Sequence, residues 1–178
     1  GPNFGQNLGS TAYLSGTVGA AMTASSLGIP AIAVSVGIDL SEIKGKPVRF
    51  KSTEQLFGQV SSFLKEFLII YENRVKEILP PNVSLNLNYP LLDKDDIKGV
   101  KVVELAGQGG FEISRGSLVG GKSEINIKAR VNESEENNDI SEFNKGYITV
   151  TPLSLDWNAS DQVFNSVNQR LNYFGNKF

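Results

Sequence analysis

The sequence predicts an α/β domain, and three stretches carry that prediction. Ala31-Ile32-Ala33-Val34-Ser35-Val36 is a continuous apolar run, the pattern of a strand covered on both faces in a parallel sheet. Leu56, Phe57, Val60, Phe63, Leu64, Phe67, Leu68, Tyr71, Val75 and Ile78 recur at i, i+3, i+4 spacing, which predicts a long helix with one wide apolar face. Ahead of both, residues 1–14 are rich in Gly, Asn and Ser and run into small residues at 16–27. That order reads as a loop feeding a short, tightly packed helix.

The elements follow in sequence. Ser15 is a good N-cap for the first helix and Gly28 its stop. Thr53 caps the long helix, and Pro80-Pro81 ends it. Val83, Leu85 and Leu87 alternate with polar residues, as a strand with one exposed face should. Residues 100–105 read as another strand. Gly109-Gly110 and Gly120-Gly121 separate Phe111-Glu112-Ile113 from residues 125–131, which predicts a projecting hairpin with little core-forming sequence. The acidic, Asn-rich residues 132–142 read as a mobile loop. Tyr147-Ile148-Thr149-Val150 is a strand, and a last helix over 160–174 presents Val163, Phe164, Val167, Leu171 and Phe174 on one face. The expected organisation is a core over residues 1–106, a hairpin and acidic loop over 107–145, and a C-terminal strand and helix over 146–178.

Composition narrows the chemistry. The chain has 178 residues, 40% of them hydrophobic and 20% charged, with a formal charge of −2. No Lys/Arg cluster of the kind that neutralises duplex phosphates is present, so no long nucleic acid is expected as a partner, whereas a small phosphorylated molecule is compatible. No apolar run approaches the roughly 18 residues of a membrane span. No basic segment leads into an apolar stretch near the start, so no signal peptide is read, any leader lying upstream of Gly1. There are no cysteines and no histidines. Disulfides, thiolate chemistry, the Ser-His dyad and imidazole-ligated zinc are thereby excluded. Hydrolysis would rest on carboxylates, hydroxyls, amides and a hard, oxygen-loving metal.

The opening loop carries the candidate chemistry. Gly1, Gly5 and Gly9 let backbone N–H groups approach an anion, and Ser15-Gly16-Thr17 at a helix start adds free amides and hydroxyls. Asn3 and Asn7 add neutral amide groups. The same residues would also serve a plain glycine-rich turn before a Ser-capped helix, and composition does not separate the two. Anion loops in α/β proteins follow the C-terminal end of a strand. None precedes this loop, so the expected strand lies upstream.

These residues also carry a resemblance. Gly1-x-Asn3-x-Gly5-x-Asn7-Leu8-Gly9, then Tyr13-Leu14-Ser15-Gly16-Thr17-Val18-Gly19 and Leu27-Gly28-Ile29-Pro30, resemble the core motif of the SurE family of nucleotidases. The resemblance continues through Leu79-Pro80-Pro81, Leu85-Asn86-Leu87-Asn88-Tyr89-Pro90 and Ile97-Lys98-Gly99-Val100, and resumes at Gly146-Tyr147-Ile148-Thr149-Val150-Thr151-Pro152, with Asp139 seven residues earlier. It implies a three-layer α/β/α, Rossmann-like sheet with a projecting β-hairpin arm and a C-terminal helix. It implies a homodimer or tetramer in which the C-terminal segment is swapped, and hydrolysis of nucleoside monophosphates or similar phosphate monoesters with Mg or Mn. On that resemblance Asn3 is a metal ligand, and Asn7, Ser15, Gly16 and Thr17 line the phosphate. The catalytic aspartates and a further serine ligand are expected upstream, in an N-terminal third that this chain lacks, a separate N-terminal fragment being one possible source. The resemblance and the cysteine-free composition point to the bacterial cytoplasm, with secretion only if the sequons at Asn82, Asn132 and Asn158 are used.

Other features have two readings each. Glu133, Glu135, Glu136 and Asp139 read as a solvated loop or a second metal site. Asp93, Asp95 and Asp96 read as a surface turn, because the Gly and terminal Glu of a calcium loop are missing. Asp39 is a strand-end group or a cap. Phe4, Tyr13 and Trp157 are packing residues or base-stacking ones; Phe57, Phe63, Phe67 and Tyr71 are core. Two other functions stay open: a non-catalytic phosphate- or nucleotide-binding subunit, and an oligomerisation fragment whose hairpin and last helix serve assembly.

Overall fold

A computed structural model describes residues 2–43, 50–74, 79–107, 111–116, 125–129, 137–156 and 158–172. The elements run β1 (Asn3–Phe4), α1 (Gly16–Ser26), β2 (Ile32–Val36), α2 (Leu40–Ile43), α3 (Lys51–Arg74), β3 (Val83–Tyr89), β4 (Val100–Val102), β5 (Phe111–Arg115), β6 (Ile125–Ala129), α4 (Asp139–Asn144), β7 (Ile148–Ser154) and α5 (Asp161–Asn172). Five strands form one mixed sheet in the order β1-β2-β3-β7-β4. The first three are mutually parallel, β7 is antiparallel to β3, and β4 is parallel to β7. Among the described residues β5 and β6 pair only with each other, antiparallel, as in the expected hairpin.

Alternation along the strands sends two chemically different sets of side chains to the two faces. Val36, Leu85, Leu87, Tyr89, Ile148 and Val150 share one face and pack with Leu56 and Val60 of α3. The expected aromatic stripe closes this layer: Phe63 lies 5.7 Å from the Tyr89 ring, and Phe67 stacks on Tyr71. Phe4 joins the same side, its ring 5.0 Å from Phe57. It is therefore a packing residue, not a base-stacking one. On the opposite face Val18 and Ala21 of α1 meet Ala33 and Leu153. A smaller cluster there joins Leu8, Ala106 and Ile140, with Phe143 of α4 beside it. The result is α3, sheet, then α1 and α4: three layers.

Three expectations need correction. Ser84, Asn86 and Asn88 do alternate with apolar residues in β3, yet all three are buried. The polar side of the strand faces protein: Asn7 of the loop lies over Asn86 and Asn88, and α1 packs against the Ser84 end. Thr53 does not cap α3, which already begins at Lys51; its hydroxyl donates to the Gly37 carbonyl at 2.9 Å and is fully buried. Residues 139–142, expected within a mobile loop, start helix α4, with Asn138 as cap and Asp139 and Glu142 buried. Gly28 does act as the stop of α1, at φ 76°. The apolar face of α5 exists as expected but lies open, with Phe164 69% and Leu171 57% exposed. Val75, Ile78, Phe174, Trp157, Glu133, Glu135 and Glu136 lie outside the described residues.

Leu87 is fully buried at the centre of the α3 face. Leu87→Ala should cost about 2–5 kcal/mol, the range for emptying a tightly packed leucine site, read by urea denaturation. A loss below about 1 kcal/mol would show that α3 closes over the gap.

Candidate functional site

The site forms where β1 and β2 end and the chain turns into residues 5–14. Gly5, at φ 94°, makes the turn, in a backbone region that side chains rarely adopt. Its N–H still donates to the Val36 carbonyl at 2.8 Å, so the loop leaves the sheet under control. Asn3 is the register partner of Ser35. Its Nδ2 donates to the carbonyls of Gly5 at 2.9 Å and Phe4 at 3.3 Å. With its donor engaged by the turn, the Oδ1 atom is the part of Asn3 available as a ligand.

Asn7 is held from below. Its backbone N–H donates to Asn88 Oδ1 at 2.7 Å, and its Nδ2 donates to Ser35 Oγ at 2.7 Å. Its carbonyl accepts from Asn86 Nδ2 at 2.8 Å and Asn88 Nδ2 at 3.1 Å. Ser35, Asn86 and Asn88 project from neighbouring strands in register, Ser35 opposite Asn88 and Ala33 opposite Asn86. The three are fully buried. Beside them the buried oxygens Asn86 Oδ1, Thr149 Oγ1 and Thr151 Oγ1 have no partner among the described residues. This face of the sheet is thus a polar bed on which the loop lies.

A short 3-10 turn, Ser10–Leu14, carries the chain to α1. Ser15 caps α1, its Oγ accepting from the Val18 N–H at 3.4 Å. The amides of Gly16 and Thr17 are first-turn donors without an intrahelical acceptor, and the helix dipole favours an anion beside them. The structure brings Asn3 and Asn7 together around Ser35. Ser15, Gly16 and Thr17 stand at the start of α1 on the same side of the sheet, and no hydrogen bond joins them to Asn3 or Asn7 among the described residues.

Two carboxylates on α4 complete the surroundings. Asp139 accepts from Gly9 N at 2.7 Å, Ala106 N at 2.8 Å and Ile140 N at 2.9 Å. Burial pushes its carboxyl above the ordinary value, while the amides of Ala106, Gly9 and Ile140 pull the other way. Glu142, also buried, is bonded to Lys101 and, at 2.8 Å, to Lys145. The Lys101 and Lys145 hydrogen bonds hold it below the usual carboxylate range. Lys101 also lies 4.1 Å above the Tyr147 ring.

The remaining candidates are ordinary. Asp39 caps α2, accepting from the Ser41 N–H at 2.8 Å, a bond that lowers its carboxyl. Lys94, Asp95 and Asp96 form an exposed 3-10 turn. Tyr13 is 62% exposed. Among the described residues no group of three or more His, Cys, Asp or Glu could hold a metal ion. Asn3 Oδ1 fits one position of a hard-ion shell, which needs further oxygens and usually carboxylates. Sequence reasoning assigned no role to Ser35, Asn86 or Asn88, and it read Asp139 as part of a solvated loop or second metal site, whereas it is buried and bonded to backbone amides. The available signal was the Asn-x-Asn spacing in β3, which places both amides on one face.

Residues 1–110 match the family model described as survival protein SurE. A 5′-nucleotidase SurE of Symbiobacterium thermophilum is 31% identical over 92% of this chain and 59% of its own length. That of Neisseria meningitidis serogroup C is 32% identical over 89% and 59%. The chain therefore spans about 59% of the length of these curated relatives. Among solved structures, the SurE protein from Aquifex aeolicus superposes with a TM-score of 0.64 at 30% identity, over 95% of this chain and 62% of that one.

Two outcomes follow from the geometry. Asn88→Ala removes one acceptor and one donor, leaving the Asn7 amide unpaired, and should cost about 1–3 kcal/mol with faster exchange of the Asn7 amide proton. Unchanged exchange would show that the bed does not hold the loop. Because Glu142 is held below its ordinary value of 4.5, its contribution is complete above that value and lost as pH falls through the folded-state value. The stability gap between the native chain and Glu142→Gln, about 1–2 kcal/mol at neutral pH, should therefore narrow progressively on acidification below the ordinary carboxylate range; a gap that did not change with pH down to acid unfolding would rule the ion pairs out as its source.

Proposed function

Because the chain belongs to the SurE family, we propose that it supplies the phosphate cradle and one metal ligand of a phosphomonoesterase that hydrolyses nucleoside monophosphates or similar esters. The observation that carries this reading is the pinning of Asn7 on Ser35, Asn86 and Asn88, which fixes the loop between Asn3 and the start of α1.

In this reading the amides of Gly16 and Thr17, with the Ser15 and Thr17 hydroxyls, donate to the phosphate oxygens. Fixed donors of this kind stabilise the charge on a transferring phosphoryl group without reorganising. Asn7 holds the opposite side of the phosphate, and Asn3 Oδ1 ligates a divalent ion, Mg or Mn. That ion, when bound, supplies positive charge to the phosphate and acidifies a water. Hydrolysis then breaks the ester P–O bond, giving an alcohol and inorganic phosphate. The carboxylate ligands would come from elsewhere in the full-length enzyme or from another chain.

We further assign to the core the first 106 residues together with α4 and β7, which pack within its layers, and treat the β5–β6 hairpin and α5 as separate arms. The open apolar face of α5, where Val163, Phe164, Val167 and Leu171 are half-exposed or more, is the part expected to pack on a second copy in a homodimer or tetramer. Among the described residues no helix is long and apolar enough to cross a membrane.

Gly16→Pro tests the cradle. Proline is favoured at the first helical position, Ser15 already has extended backbone, and a Cβ at Gly16 meets nothing within 4 Å. The substitution removes one anion-facing N–H and leaves the helix. Titration with inorganic phosphate should show binding weakened about tenfold, the loss of one charge-assisted hydrogen bond; unchanged binding would overturn the cradle. Catalysis is read separately in the full-length protein, as Mn-dependent phosphate release from 5′-AMP. There Asn3→Ala should raise the Mn concentration needed for half-maximal rate.

A further inference from the structure

Asp139 lies 130 residues from Gly9 in sequence, and its carboxylate bonds directly to the Gly9 amide. It is fully buried, and its two oxygens are divided between three segments. Oδ2 takes the Gly9 N–H, the last loop residue before the 3-10 turn. Oδ1 takes Ala106, five residues before the hairpin strand β5, and Ile140 in the first turn of α4. Around this carboxylate Leu8, Ala106 and Ile140 close an apolar shell. A buried carboxylate with directional amide donors on both oxygens fixes distances tightly, because losing any donor leaves charge without compensation.

We propose that Asp139 is a positioning residue for the phosphate loop, locking Gly9 to the root of the hairpin and to α4, so that the first turn of α1 meets the phosphate at a set distance. The proposal rests on the cradle reading. Hydrogen bonds hold the loop at two points: Asn7 from the sheet and Gly9 from α4. Leu8 and Ala12 are also packed in apolar clusters, but apolar packing is non-directional and does not by itself orient the backbone. The Gly9 bond supplies that orientation on the approach to Gly16 and Thr17. It also makes the loop responsive to the hairpin, since Ala106 and Gly9 share one carboxylate.

Isotope-labelled samples of the native chain, Asp139→Asn, Asp139→Ser and Glu142→Gln decide this. In the native chain a scalar coupling across the hydrogen bond should connect the Gly9 amide nitrogen to the Asp139 carboxyl carbon; its absence would overturn the tether. Asp139→Asn keeps the shape, and Asp139→Ser keeps an oxygen for the start of α4 but is too short to reach Gly9. Both should speed Gly9 amide exchange at least tenfold and weaken inorganic phosphate binding about tenfold. Glu142→Gln, on the same helix but with its side chain bonded to Lys101 and Lys145, should leave both unchanged despite its effect on stability. Native Gly9 protection and phosphate affinity in a folded Asp139 variant would overturn the proposal, as would equal loosening by Glu142→Gln. If the native chain shows no phosphate binding, the cradle reading fails, and the coupling and exchange data still settle the tether.

Discussion

The arrangement depends on what lies beneath Asn7. Ser35, Asn86 and Asn88 present amide and hydroxyl groups on a sheet face that is sealed from water. Such groups cost about 1–3 kcal/mol each when buried without partners, so the face demands a polar cover. Asn7 provides one, engaging both its backbone groups and its side chain. Each bond contributes only about 1 kcal/mol net. The larger effect is the penalty for leaving, since a displaced loop would strand several buried partners together. The location of the loop is therefore set by the sheet below it, and the start of α1 follows from the location of the loop.

The two faces of the sheet divide the labour. The face toward α3 is filled by Val36, Leu85, Leu87, Tyr89, Ile148 and Val150 and carries the hydrophobic stabilisation. The face toward α1 gives up part of that burial to polar groups, including oxygens of Ser84, Thr149 and Thr151 that have no partner among the described residues. An apolar α1 face would be more stable, because it would avoid those penalties. It would also leave a Gly-rich loop nothing directional to rest on, and apolar packing does not fix the orientation of a backbone amide. Giving one strand, β3, both chemistries places the rigid core directly behind the site.

Much of this was legible in the sequence because it is local. The loop with its glycines and asparagines, the Ser15 cap, the apolar run of β2, the stripe of α3 and the hairpin pairing all announce themselves within a few residues. The polar residues of β3 were legible as one face, since strand periodicity is two. Periodicity says which side chains share a face and nothing about what covers it, so a buried polar bed read as a solvent-facing one. Asp139 was hidden differently. Among Glu133, Glu135 and Glu136 it looks like another solvated charge, and its partners Gly9 and Ala106 are remote in sequence. Thr53 misled for a simpler reason: a hydroxyl near a helix start caps only when it sits one residue before the first turn, and here it lies inside the helix.

Asp139 and Glu142 sit one turn apart on α4 and show why charge is arranged as it is around the site. Glu142 is balanced by two partly exposed lysines on long side chains, an attraction that depends little on exact alignment. Among the described residues Asp139 is balanced by the backbone amides of Gly9, Ala106 and Ile140, which must stay aligned to compensate it. The proposed cradle follows the second principle with the sign reversed. Its donors at Gly16, Thr17 and Asn7 are neutral, so they orient a phosphate well and attract it weakly. A chain with a formal charge of −2 and no lysine or arginine in that loop leaves the bulk of the attraction to another source. A divalent ion at Asn3 would provide it beside donors already in place, so under the proposed reading orientation belongs to this chain and charge to the ion it helps to hold.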